Sequence, residues 1–252
     1  MDLGLNGTRA LVTGGTRGIG AAIVDLLARE GAHVAFCARD GQQVSHRVAQ
    51  LQADGLNVLG QTCDVADPAA YLAWCQAAAQ TLGGVDIFVA NVSGGAGTGE
   101  EGWRTAFDVD LMGTVRGCEN VLLPMAQSGG GAIVIISSIA GVEAMGDPGP
   151  YGTIKAGLLS YASQLARAAG PHGIRVNAVS PGPIHADDGF WGEIERTQPD
   201  IYQSTAERHP DRRLGTTEEV ARAVAFLASP AASWINGTNL IVDGGFTQRV
   251  QF

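Results

Sequence analysis

Strands and helices alternate from one end of this 252-residue chain to the other. That alternation predicts an α/β fold: one doubly wound, seven-stranded parallel sheet flanked by helices. Two further observations point the same way. The strand candidates are unbroken apolar runs, such as Ala132 to Ile136 (AIVII), so both faces of the sheet are expected to be covered. A glycine-rich turn, with Gly14, Gly18 and Gly20, sits between the first strand and the first helix.

Thr8 to Thr13 (TRALVT) is the first strand, and the helix behind the glycine turn runs to about Glu30, where Gly31 ends it. His33 to Ala38 (HVAFCA) is the second strand. Residues 41–53 read as an amphipathic helix. Asn57 to Thr62 is a strand, and Pro68 to Leu82 a helix with Asp67 as its cap. Val85 to Ala90 is the fourth strand, residues 101–127 a long helical segment, Ala132 to Ile136 the fifth strand, and 151–169 an alanine-rich helix. Ile174 to Val179 is the sixth strand. Thr216 to Ala228 is a helix whose first turn, Thr217-Glu218-Glu219, is favourably acidic. Thr238 to Val242 is the last strand.

No linker, repeat or low-complexity segment interrupts the pattern, so residues 1–252 are expected to form a single domain. Two stretches fall outside the alternation. Ser93 to Gly102 is glycine-rich and follows the fourth strand. Pro181 to Leu214 runs for more than 30 residues after the sixth. Loops of that length in a domain are usually functional. Ligands of such sheets sit outside the carboxyl ends of the strands, and both loops leave from that edge.

Composition narrows the function classes. Hydrophobic residues make up 45% and charged residues 16%, which suits a packed core. A net charge of −9 argues against a nucleic-acid surface. The four cysteines show neither a C-x-x-C pair nor zinc spacing with histidine, so they read as reduced, buried thiols and no metal is expected. There is no basic-then-apolar leader and no apolar run near the ~20 residues a bilayer needs, so a cytoplasmic address without a membrane partner is expected.

A strand, then Gly14-x-x-x-Gly18-x-Gly20, then a helix is a phosphate-cradling arrangement. Glycines let backbone approach a pyrophosphate, and the helix N-terminus offers free N–H groups and a positive dipole end. Tight helix–sheet packing is the alternative use of the same turn. In this context the turn points to a dinucleotide. An NAD site usually ends its second strand with an acid for the ribose hydroxyls. Here the strand ends Cys37-Ala38-Arg39, with Asp40 one place too far along and Arg17 inside the glycine turn. Two guanidinium groups suit a 2′-phosphate, which favours NADP(H) over NAD(H). Two ordinary solvated arginines are the alternative. Asp64, followed by Val65 after the third strand, is placed for the adenine edge or for helix capping.

The strongest chemical signal is Ser137 to Lys155. Two serines end the fifth strand, and a helix starting near Tyr151 puts Tyr151 and Lys155 four residues apart on one face. A hydroxyl, a phenol and an ammonium can then meet at one point.

The chain resembles the short-chain dehydrogenase/reductase family, in its compact single-domain branch with a Rossmann fold. The resemblance covers nearly the whole length. It is carried by Thr13-Gly14-Gly15-Thr16-Arg17-Gly18-Ile19-Gly20, Cys63-Asp64-Val65, Asn91, Ser138, Tyr151-Gly-Thr-Ile-Lys155, Arg175-Val-Asn177-Ala-Val-Ser-Pro181-Gly182 and Val242-Asp243-Gly244-Gly245. It implies that Tyr151 exchanges a proton with a substrate oxygen while hydride passes to or from the nicotinamide. Lys155 would favour the phenolate and bond the nicotinamide ribose, and Ser138 would orient the carbonyl. The family's serine lies thirteen residues before its tyrosine, which selects Ser138 over Ser137. Gly14, Thr16, Arg17, Gly18, Ile19, Gly20, Arg39, Asp64, Val65 and Asn91 would hold the adenosine and phosphates. Tyr151, Lys155, Pro181, Gly182 and Ile184 would meet the nicotinamide end. Asn177 looks structural.

Two positions depart from the family pattern. Asp110 stands where an asparagine usually completes the catalytic set, and Ala186 stands where a threonine often contacts the carboxamide. Residues 185–213, with Phe190, Trp191 and Tyr202, are expected to form the substrate lid. His185 is a second candidate acid, or simply a solvated loop histidine. The resemblance extends to members labelled 3-oxoacyl-[acyl-carrier-protein] reductase. A general ketone/alcohol oxidoreductase is preferred because an acidic chain shows no basic patch for an acidic carrier. A non-catalytic nucleotide sensor of the same fold is the other class to weigh, against intact Ser138, Tyr151 and Lys155. A sugar-nucleotide epimerase would need a larger C-terminal domain, and an enoyl reductase usually has a different Tyr–Lys spacing. Relatives are commonly tetramers, and the tail Arg249-Val-Gln-Phe252 is compatible with a subunit interface.

Overall fold

The computed structural model describes residues 2–250, so Gln251 and Phe252 of the tail lie outside the described residues. In chain order the first half comprises β1 (Arg9–Thr13), α1 (Gly18–Arg29), β2 (His33–Ala38), α2 (Gly41–Ala53), β3 (Val58–Thr62), α3 (Pro68–Leu82) and β4 (Ile87–Ala90). There follow α4 (Gly99–Thr105), a π-helical turn (Ala106–Met112), α5 (Gly113–Gln127), β5 (Gly131–Ile136), a 3-10 turn (Ile139–Gly141), α6 (Pro150–Ala169) and β6 (Ile174–Pro181). The rest is β7 (Ile184–His185), α7 (Phe190–Thr197), α8 (Pro199–Glu207), β8 (Gly215–Thr216), α9 (Thr217–Ala228) and β9 (Asn239–Val242).

Seven strands form one sheet in the order β3-β2-β1-β4-β5-β6-β9. Every pairing is parallel. The order reverses between β1 and β4, which opens a crevice at the carboxyl edge. The apolar runs are explained by two cores. Val12, Phe36, Val89 and Val134 pack on the side of α1 and α9. Leu11, Cys37, Phe88 and Ile133 pack on the side of α3, α5 and α6. Successive residues of one strand thus serve opposite faces.

Polar side chains fix where helices begin. Asp40 accepts from the Gln42 and Gln43 N–H groups at the start of α2, and Asp67 does the same for Ala69 and Ala70 at α3. Thr216 and Glu219 form a capping box at α9. Asn177 donates to the Ile235 carbonyl at 2.9 Å and accepts from the Thr238 N–H at 3.0 Å, tying β6 to the approach of β9.

The segment 101–127 is helical throughout, as α4, the π-turn and α5 in unbroken succession, and the π-turn carries Asp110 into the interior. Two expectations are corrected. The stretch 181–214 is not a plain loop. It carries β7, α7 and α8, and β7 pairs with β8 as a second, two-stranded sheet. Aromatic contacts among His185, Phe190, Trp191 and Tyr202 give these short helices a small core of their own. Finally, β4 begins at Ile87 and not at Val85. Asp86, just before it, clamps Arg9 through the guanidinium and the backbone N–H.

No helix of the model is long and apolar enough to cross a membrane, and no group of three or more His, Cys, Asp or Glu among the described residues is arranged to hold a metal ion.

Burial pushes the Asp86 carboxyl up, but the Arg9 hydrogen bonds and charge outweigh it and hold the group below its ordinary value. A depressed carboxylate stabilises the fold above its unfolded pKa of about 3.9 and loses that contribution as pH falls through the folded value. Asp86→Asn is therefore expected to cost about 1 kcal/mol at pH 7. Urea unfolding of both proteins should show the gap closing below about pH 4.

Candidate active site

The glycine turn leaves β1 at the crevice. Gly14 and Gly18 take positive φ values of 70° and 53°. A side chain at Gly20 would collide with the Gly14 carbonyl and with Asn91. Asn91 itself does not reach outward. Its amide donates to the Thr13 carbonyl at 3.1 Å and the Gly14 carbonyl at 3.3 Å, so its side chain braces the turn. No side chain caps α1, and no acid occupies its first turn. Its N-terminal N–H groups are therefore left for an anion.

This turn forms one wall of a cavity of about 670 Å³. Gly14, Thr16, Arg17, Gly18, Ile19, Gly20, Arg39, Asp64, Val65 and Asn91 all line it. Arg17 and Arg39 are exposed and make no ion pair among the described residues. Asp64 also accepts from the Ala66 N–H at 3.0 Å, so it turns the chain as well as facing the cavity. Cys37 and Cys63 also line the cavity. Burial, and then the hydrogen bond to Cys63, pushes the Cys37 thiol up, so it stays protonated.

Ser138, at the end of β5, and Tyr151 and Lys155, at the start of α6, lie along the same sheet edge and are not part of the cavity lining. The 3-10 turn after β5 meets α6 backbone to backbone. A Cβ on Gly141 would lie 2.6 Å from the Lys155 carbonyl carbon, and one on Gly152 would lie 2.8 Å from the Ala140 oxygen. Ser137 Oγ donates to the Lys155 carbonyl at 2.8 Å, which occupies it structurally. Ser138 Oγ accepts from the Ala140 N–H at 3.1 Å, and its proton remains available. Lys155 Nζ donates to the Ile136 carbonyl at 3.2 Å and lies 5.7 Å from the Tyr151 ring centre.

Asp110 stands behind this lysine. Its Oδ1 is 3.1 Å from Lys155 Nζ, with both side chains almost fully buried. The approach is off-line, so Oδ1 makes a charge contact without a hydrogen bond. Oδ2 accepts from the Gly94 N–H at 2.7 Å.

Pro181 ends β6, and the Gly182 N–H donates to the Val242 carbonyl at 2.9 Å. Ile184 lies in β7 opposite Gly215. None of these three lines the cavity described above. Conversely, Asp188, Phe190, Glu193 and Arg196 do line it. They had been placed in the substrate lid. Only the way α7 folds back over the crevice brings them to this wall, and no local pattern in the sequence signals that. His185 is held by Tyr202 (3.2 Å) and Asp187 (3.1 Å), so it links β7 to α8 and does not hang free.

Comparison with known proteins adds an independent finding. A family model described as "Enoyl-(Acyl carrier protein) reductase" matches residues 14–247. Isoepoxydon dehydrogenase of Penicillium expansum is 36% identical, with 100% of this chain and 99% of that protein covered. Human dehydrogenase/reductase SDR family member 4 is also 36% identical, over 96% of this chain and 88% of its own. Among solved structures, L-sorbose reductase of Gluconobacter frateurii, complexed with NADPH and L-sorbose, superposes with a TM-score of 0.92 at 32% identity, covering 99% and 100% of the two chains. A 7α-hydroxysteroid dehydrogenase complexed with NADH and a 7-oxo bile acid conjugate gives 0.91 at 31% identity, covering 99% and 98%. The chain belongs to the short-chain dehydrogenase/reductase family and is an oxidoreductase of that family.

Proposed function

We propose that this chain is an NADP(H)-dependent oxidoreductase that interconverts a ketone and a secondary alcohol, with Tyr151 as the proton-transferring group. One juxtaposition carries the reading: Lys155 lies 5.7 Å from the Tyr151 ring centre on a helix that meets the turn after Ser138 backbone to backbone, at the same sheet edge as a crevice whose glycine turn and bare α1 terminus suit a pyrophosphate. The relatives solved with cofactor span NADPH and NADH, so the preference rests on this chain's own residues. Arg17 and Arg39 line the cavity without an ion-pair partner among the described residues, and Ala38 stands where an acid would repel a 2′-phosphate.

The residues divide the work. The Gly14–Gly20 turn would hold the pyrophosphate, Arg17 and Arg39 the 2′-phosphate, and Asp64 and Val65 the adenine. Lys155 would hold the nicotinamide ribose, and Pro181, Gly182 and Ile184 the carboxamide side. When bound, the nicotinamide supplies or accepts the hydride. In reduction, Ser138 donates its free hydroxyl proton in a hydrogen bond to the carbonyl oxygen and fixes its position. Tyr151 then gives its phenolic proton to that oxygen, which leaves as an alcohol. Lys155 stabilises the phenolate left behind, and Asp110 balances the lysine's charge within the buried site. In oxidation the proton returns to Tyr151.

NADPH and NADH consumption with a panel of ketones, β-ketoacyl thioesters included, tests the reading. Turnover with NADPH, and a Tyr151→Phe variant slower by about 10²- to 10⁴-fold, is expected. Cofactor binding without turnover of any ketone would leave a nucleotide-sensing protein in its place. Arg39→Asp should invert the cofactor preference toward NADH. Asp110→Asn keeps an acceptor for Gly94 but removes the charge facing Lys155. Its turnover should persist, with a changed pH profile. An unmoved profile would deny Asp110 any part in proton transfer.

A further inference from the structure

The lid segment does more than border a substrate. Helix α7 forms a wall of the same cavity as the glycine turn, facing it with Phe190, Glu193 and Arg196. Its position is set by backbone packing. A Cβ on Gly192 would collide with the Ala186 and Asp187 carbonyls, so the helix sits flush on the chain that leads into it. Gly189 N–H closes that turn on the Ala186 carbonyl at 2.9 Å.

Arg196 lies one helical turn beyond Gly192 on the same face. One of its guanidinium nitrogens donates to the Asp187 carbonyl at 2.8 Å. That bond holds the side chain against the cavity wall but uses one of five N–H donors. The positive charge has no ion-pair partner among the described residues, although Asp188 and Glu193 share the wall. A pinned cation with spare donors, facing a bare helix N-terminus across a cavity, is suited to an anion lying between them.

We propose that the exposed Arg196 is a lid-borne anchor for a phosphate of the dinucleotide, tying bound cofactor to α7. This rests on the cofactor reading above.

The test is titration of the full-length protein and Arg196→Gln with NADPH and with NADH, followed by fluorescence at several salt concentrations. Hydrogen exchange of the 190–197 amides is measured alongside. The wild type should bind, with NADPH protecting the α7 amides. The variant should bind about tenfold more weakly, with a shallower salt dependence and without that protection. Equal weakening for both cofactors assigns Arg196 to the pyrophosphate, and weakening for NADPH alone assigns it to the 2′-phosphate. Either supports the proposal, and Arg196→Lys should recover part of the affinity. Binding within about twofold of wild type, with α7 protected as before, would overturn it while leaving the cofactor site intact. Failure of the wild type to bind either dinucleotide would instead overturn the cofactor reading, and the Arg196 anchor with it.

Discussion

The interaction on which the site depends is the buried pair of Lys155 and Asp110. An ammonium almost without solvent is costly unless an opposite charge accompanies it, and removing one partner of such a pair typically costs about 3–5 kcal/mol. Asp110 can reach the lysine only because the π-turn between α4 and α5 carries it inward. Its second oxygen is bound by the Gly94 N–H, so the glycine-rich loop after β4 is fastened to the same carboxylate. Lys155 in turn grips the end of β5 through the Ile136 carbonyl. Four segments distant in the chain are thereby held around one charge pair, and Ser138 and Tyr151 take their places from two of them.

The crevice owes its character to what the protein leaves unmade. Helices α2 and α3 follow β2 and β3, and each is capped by an aspartate. Helix α1 follows β1 at the reversal of strand order and has no cap. A missing cap normally costs about 1 kcal/mol, and here the cost falls at a helix terminus that opens on the large cavity. The glycines around it serve the same end, since a side chain at Gly20 would occupy the space that lets the turn fold back on Asn91.

Much of this was legible in the sequence. The sheet could be read because its central strands are apolar on both faces, and the glycine turn because its context between strand and helix is restrictive. Tyr151 and Lys155 could be paired because a helix brings residues four apart together. The π-turn could not be read: one extra residue in a turn changes neither composition nor apolar spacing enough to show. The lid helices were missed for another reason. They contain few apolar residues, and they are supported by contacts among His185, Trp191 and Tyr202 that exist only after folding. The position of Arg196 on the cofactor wall depends on the same tertiary event.

Cofactor choice shows how a local structural duty constrains chemistry. Asp40 lies on the cavity wall and carries the charge expected of an NAD site, yet it is not free to serve one. Its carboxylate accepts from Gln42 and Gln43 at 2.9 and 3.1 Å, and it begins α2. Turning it toward a ribose would uncap that helix, at a cost of about 1 kcal/mol, before any hydroxyl was bound. Arg17 and Arg39 have no comparable duty. Asp40 is committed to the fold and the two arginines are not, so the proposed preference for NADP(H) rests on which side chains the scaffold has already used.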